Sequence, residues 1–530
     1  MRSPSPPLPI NQRGQALVFS LITVSIIILV MVSMYTMGQQ SIAKMKLQNT
    51  ADAAAYSAVL AEARDYNFAA YTNRAIIANQ VAVAQVVGLT SWSRNYAATY
   101  NGPYSWVPQV LTSLGGPLAK ILWDAPVKAY KPASKAFRNV MNTAGPVTVK
   151  VLDGLIDILS LAQTIYHYGT ALTVAQTIGL SPAKVLDKLA GVDETSLGAV
   201  KDLLTFNAAY NVIKLNDTNA DLSTPGTAAA IIHLVQWFTF AQKKNPNSSN
   251  QDGLKGDRMA QVTIDSLDGF SKNRSTKGGG PAKNFPEMMY LTPFVVDPTR
   301  IIPYQNGALL MYLWHRGGTE LKHIGVNKKT WSAMDGTGFV GIAIFWISII
   351  GIPIPIPIMF PFIPMGWGAA QAGPSSNLNP NNNFGTATSD AYGGVYGNAH
   401  TAGAAGTQRG LGAGTSLDTR AGLRAYFDLK KVDKDNLIGP SLILEVEKAD
   451  GKIPTSNTMS GGQFTLNNGT RSGYMRSLTK AEIYFSRPKK LWARGDGKTE
   501  LGSLYNPYWQ ARLAPNNFLE QYASMSYHLW

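Results

Sequence analysis

Leu17–Met37 reads LVFSLITVSIIILVMVSMYTM, and no charged side chain occurs from Gln15 to Ala43. A hydrocarbon core about 30 Å thick needs roughly 20 helical residues, so this stretch predicts one transmembrane helix. Leu17, Val18, Ile22, Ile26, Ile27, Leu29 and Val30 are the side chains expected to hold it in lipid or in a filament core. Beyond it, KMKLQNTADAAAYSAVLAEARDYNFAAYTNRAIIANQ has no Pro, and no Gly occurs before Gly88, so the helix is predicted to run on. Gly38 costs a helix only about 1 kcal/mol. Leu47, Ala51, Ala54, Ala58 and Ala61 step by four and three along one seam. Small residues let helices approach closely, so the seam suits either the protein's own core or a neighbouring subunit. Asp65 interrupts it, and Ile77, Val81, Ala84 and Gly88 resume one.

Arg13-Gly14-Gln15-Ala16, the apolar run, and then Leu47-Gln48-Asn49-Thr50-Ala51-Asp52-Ala53-Ala54-Ala55 resemble the N-terminal module of TadE/TadG-like proteins of Flp (tight adherence) pilus assembly. The resemblance covers about the first 65 residues and implies an exported, pilin-like envelope protein. Near the other end, Ala481-Glu482-Ile483-Tyr484-Phe485 and Leu504–Leu513 (LYNPYWQARL) are similar to the tails of large proteins of that group. Two departures stand out. Pilin-like processing after Gly14 would make Phe19 the fifth mature residue, where pilins usually carry Glu. The Asp-x-Ser-x-Ser metal loop of many TadG-like proteins is missing from the sequence. Asp221-Leu222-Ser223-Thr224-Pro225 comes nearest, with Pro at the last ligand position.

Ser41-Ile42-Ala43 offers the small residues a signal peptidase reads. The apolar run is longer than the 7–15 residues of a signal-peptide core, so it is expected to be retained. Arg2 and Arg13 precede the span and Lys44 and Lys46 follow it, so charge does not set the orientation.

The chain has no cysteine, which excludes disulfides and Cys-based metal or redox sites. Its 530 residues suggest about three domains. Charged residues are only 15%, with a net charge of +15. That balance suits anionic lipid head groups, but the basic residues are spread along the chain and read first as a solvated basic surface; no nucleic-acid motif accompanies them and no nucleic-acid partner is expected.

Residues 1–43 read as tail and span, and 44–93 as the continuing Ala-rich helix. Residues 94–275 read as a helical region, with starts at Ser181-Pro182 and Thr224-Pro225. The second of these is expected to run to Lys243-Lys244. Residues 276–375 read as β-rich, 376–418 as a Gly/Asn/Ser-rich linker or loop, and 419–530 as a C-terminal β-rich domain.

Within the first β-rich region, Phe339–Met365 reads FVGIAIFWISIIGIPIPIPIMFPFIPM, again without charge. Five prolines bar a membrane helix. The Ile-Pro alternation predicts an extended chain that cannot pair fully inside a sheet. Phe345, Trp346, Ile352, Ile354, Ile356 and Phe360 are the candidate interface, covered by the domain itself, another subunit or membrane.

No catalytic constellation stands out. The six His show no ligand spacing, and His233 lies on an apolar helix face, as a hydrogen-bonded core residue would. Gly410–Gly414 (GLGAG) lacks the Lys-Ser/Thr of a phosphate loop. Glu445, Glu447 and Asp450 could collect a cation or form a solvated strand face and end.

The expectation is an α+β protein: a long pilin-like N-terminal helix with one membrane span, a helical region, then β-rich domains. It needs no cofactor and is not an enzyme. It is expected in the bacterial envelope as a single-pass inner-membrane protein with an exported C-terminal region, or in an extracellular filament. Its partners would be lipid, copies of itself and other pilus-assembly proteins. The rival reading is a membrane-anchored adhesin that binds glycans or other surfaces.

Overall fold

The computed structural model of the chain describes residues 15–101, 107–181, 211–244, 258–272, 274, 291–296, 307–323, 329–349, 352–373, 416–430, 437–454, 473–487 and 500–528. The fold is α+β, with a long apolar N-terminal helix, further helices and a sheet-rich C-terminal region. Helix α1 (Gln15–Asn101) is continuous through Gly38 and runs on through Gly88. Helix α2 follows (Val107–Thr177). The contacts divide the chain into two units. One holds residues 1–71, 162–243 and 427–530; the other holds 72–161 and 244–426.

In the first unit, α3 (Val212–Asn216) leads through β1 (Ala220–Leu222) to α4 (Thr224–Phe240). Ser223 caps α4, its side chain accepting from Gly226 N, with Pro225 in the first turn. The Asp221–Pro225 stretch is therefore a strand end and a helix start. Gly226 is obligatory, because a Cβ there would lie 2.4 Å from the Glu445 carbonyl oxygen. Helix α4 stops at Phe240, short of Lys243-Lys244. Ala241–Lys244 is β2, which pairs with β7 (Tyr426–Leu429). The extended backbone at Ala241 and the bond from Lys430 N to Phe240 O favour the strand over another helical turn.

The main sheet of this unit runs β1-β8-β9-β10, all antiparallel, with β8 (Ile438–Ala449), β9 (Tyr474–Phe485) and β10 (Trp509–Ala514). Leu442, Leu444, Val446, Ala481 and Ile483 join one core with the Ala seam of α1, Trp237 and Trp509. A last short helix (Phe518–Tyr527) closes the described chain, with a capping box between Asn517 and Glu520.

The second unit holds helices α5 (Arg258–Asp265) and α6 (Gly269–Lys272); with these numbered, the C-terminal helix is α7. Its sheet runs β3-β4-β5-β6: Leu291–Val296, Gly307–His323, Lys329–Ile349 and Ile352–Ala372. The sheet meets α1 at Gly368, where a Cβ would lie 2.2 Å from Ser91 O. A buried fork secures the contact: Arg274 donates to Asp335 through Nε (2.7 Å) and Nη2 (2.9 Å), and Ser91 Oγ donates to the same carboxylate at 2.5 Å.

The Ile-Pro segment corrects one expectation. Its prolines do not keep it out of a sheet of its own domain, for β6 pairs with β5 from Ile349↔Ile352 to Trp331↔Ala372. Alternate residues of an antiparallel strand turn their N–H away from the partner. Pro353, Pro355 and Pro357 recur with that period, so the Ile residues between them supply the ladder and β6 becomes an edge. The register shifts between Phe339 and Gly341, opposite the point where the Pro spacing turns from even to odd, between Pro361 and Pro364. A bulge moves the phase by one residue. The segments 182–210 and 374–415, which include the Ser181-Pro182 helix start and Gly410–Gly414, lie outside the described residues.

Candidate functional site

The first candidate is the N-terminal part of α1. Leu17, Val18, Ile22, Ile26, Ile27, Leu29 and Val30 are all half exposed or more. They lie on every side of the helix, and none of the described residues covers it from Gln15 to Met31. The hydroxyls here do not need water. Thr23 donates to Phe19 O (2.8 Å), Ser25 to Leu21 O (2.8 Å), and Ser20 to Ala16 O. That internal satisfaction is what a lipid environment demands.

Burial begins at Thr36, and at Lys44 the helix bonds to the main sheet. The Lys44 Nζ donates to Arg476 O, and burial lowers its pKa, with Glu445 pulling the other way. One turn on, Gln48 accepts from Ser477 Oγ at 2.7 Å, and Asp52 from Thr479 Oγ1 at 2.5 Å. Leu47, Ala51, Ala54 and Ala58 are fully buried, and Ala61 packs at the edge of that core. Within this chain the seam faces its own sheet and helices.

Two acids in the same helix are also buried. Glu62 Oε1 lies 2.8 Å from His233 Nε2 on α4, and Asp65 Oδ2 lies 2.6 Å from His167 Nδ1 on α2. The His167 ring stacks on Trp237 with centroids 4.2 Å apart. Burial, then the carboxylates of Glu62 and Asp65, push the Tyr66 hydroxyl well above its usual pKa. These acids clasp three helices together. The sequence marked Asp65 only as a break in the seam; two acids three residues apart in an Ala-rich helix was the available signal.

Glu445 and Glu447 share a face of β8, but neither awaits a cation. Glu445 accepts from Ser524 Oγ and lies 2.7 Å from His528 Nε2, and Arg476 donates to Glu447 at 3.0 Å. Glu445 is buried rather than solvated. No group of metal-ligating side chains occurs among the described residues.

In the second unit, Ile352, Ile354 and Ile356 are exposed together along one side of β6. Phe345 stands opposite Ile356, Trp346 opposite Pro355 and Gly341 opposite Phe360. The side chains of Phe345, Trp346 and Phe360 lie outside the described residues.

An exposed, uncharged helix that is long and apolar enough to cross a membrane turns into an Ala-seamed core helix, a combination that suggests association with the cell envelope. Residues 14–65 match the family model described as Flp pilus-assembly TadE/G-like, so the likeness rests on the N-terminal module. The matched stretch takes in the exposed helix, the seam and both buried acids. No curated protein and no solved structure matches the chain.

Proposed function

We propose that the chain is a structural subunit of a Tad/Flp-type pilus or secretion apparatus, or of a related extracellular filament. The N-terminal part of α1 spans the inner membrane once and the rest of the chain is exported. The carrying observation is that the pilus-assembly match coincides with a helix exposed on all sides from Gln15 to Met31 and buried along one seam from Leu47 on. The mechanism is assembly rather than catalysis. The helix anchors the subunit, and the Ile352–Ile354–Ile356 stripe makes lateral contacts with copies of itself or other assembly proteins.

The test is to delete the chain from its source cell and image surface filaments by electron microscopy. Loss or shortening of filaments, restored by the intact chain, supports the reading. Unchanged filaments from which the chain is absent by mass analysis would overturn it.

A further inference from the structure

Helix α7 is apolar but unburied. Phe518, Leu519, Tyr522, Met525 and Tyr527 are among the most exposed large side chains of the molecule, and no residue of the helix is buried. Beneath it lies an open groove of about 510 Å³, lined by Ala228, Ala229 and Ile232 of α4, Ile443 and Leu478 of the sheet, and α7 itself. Polar side chains fasten the helix in place. Lys480 Nζ donates to Glu520 at 2.6 Å, and Ser524 and His528 both reach Glu445. A helix with apolar side chains on most sides requires cover.

The fastenings fix its height above the membrane span. Arg476 meets Lys44, Ser477 meets Gln48, and Thr479 meets Asp52, so β9 climbs beside α1 away from the span. The Leu478 carbonyl accepts from Gln48 of α1 (3.4 Å) and from Asn516, which precedes α7 (3.2 Å). The far end of α7 is held by Glu445, the cross-strand neighbour of Leu478. Both ends therefore sit on one rung of the ladder, and α7 lies across the climb of α1. That rung is one helical turn, about 6 Å, beyond Lys44. The uncharged stretch that ends at Ala43 is about 43 Å long at 1.5 Å per residue, longer than the roughly 30 Å hydrocarbon core, so a core that ends at Ala43 puts this rung in the head-group layer.

We propose that α7 is an interfacial membrane helix, a second contact with the bilayer, with Phe518, Tyr522 and Met525 set into the head-group region beside the span. Aromatic side chains concentrate at this depth, and amphipathic helices lie in this plane. The inference rests on the reading of α1 as a membrane span.

The absence of cysteine makes the test direct. Ile28→Cys, Tyr522→Cys, Met525→Cys and Ile438→Cys, each in the full chain, are labelled with an environment-sensitive fluorophore. The proteins are reconstituted in phosphatidylethanolamine/phosphatidylglycerol vesicles that carry nitroxide lipid. Ile438 is the exposed control, since its partner Tyr484 lies about 20 Å further up β9 than Leu478. The expected result is loss of emission at 28, 522 and 525, with none at 438. Quenching at 28 without quenching at 522 and 525 overturns the inference alone. Labels at 522 and 525 that resist both nitroxide lipid and aqueous iodide mean that a second copy covers α7, and the proposal falls. An unquenched label at 28 overturns the span, and the inference with it.

Discussion

Helix α1 before Lys44 and α1 after it share a backbone and almost nothing else. The first part carries Leu, Ile, Val and Met, is exposed on all sides from Gln15 to Met31, and is buried only at Thr36 and Ala43. The second carries Ala at the spacing of one seam, packs on a sheet, and buries Glu62 and Asp65. The more apolar part is the exposed one. What separates them is side-chain volume and the presence of polar partners: small residues admit a neighbouring backbone, and buried acids specify which neighbour. Large apolar side chains on every side specify only a medium.

The contrast is broken most severely at the clasp. Glu62→Ala leaves the buried His233 facing an empty site, and removing one member of a buried pair costs about 3–5 kcal/mol. Denaturant unfolding of the full chain in detergent measures it. A loss below about 1 kcal/mol would mean that the acid is not holding α1 to α4.

The exposed part should show the opposite profile. Ile28→Lys places a charge at the middle of the span, at a cost of about 3 kcal/mol to membrane insertion. The variant should be extracted by alkaline carbonate while the fold beyond Lys44 keeps its protease resistance. A variant that stays in the membrane pellet and assembles as before would remove the span from the account.

Overpacking sharpens the same boundary at smaller cost. Ala54→Leu adds volume at a fully buried position and should cost about 1–3 kcal/mol of unfolding free energy. Ile22→Ala, on the exposed part, should leave the unfolding midpoint where it is. Equal shifts from the two would show that the parts of α1 are not differently packed.

The span, the unbroken helix and the seam were legible because each is a local pattern of charge, breakers and spacing. The clasp was not. His167 and His233 lie about 100 and 170 residues from their partners, and only folding brings them together. The His233 side chain was readable as a satisfied core residue, but nothing local named Glu62 as its partner. Glu445 looked like part of an acidic surface because its partners, Ser524 and His528, come from the far end of the chain. The end of α4 was misjudged for a related reason: Ala241–Lys244 has acceptable helix formers, and a strand partner from β7 outweighs that weak propensity.

The second uncharged run, Phe339–Met365, extends the comparison at the smallest energy. The membrane segment satisfies its backbone within one helix; the hairpin satisfies its own across two strands, and its Ile-Pro period leaves one side without donors. Pro355→Thr with Pro357→Thr restores two N–H groups on that side without touching the β5 ladder. Relief of proline's chain restriction changes stability by about 1 kcal/mol or less, so unfolding should scarcely move. Association should move instead, because an apolar edge that regains its donors is a template for another strand. Light scattering and a β-sensitive dye should report concentration-dependent assembly of the double variant under conditions where the parent gives none. Identical behaviour of variant and parent would mean that the prolines do not block that edge, and that their period needs another explanation.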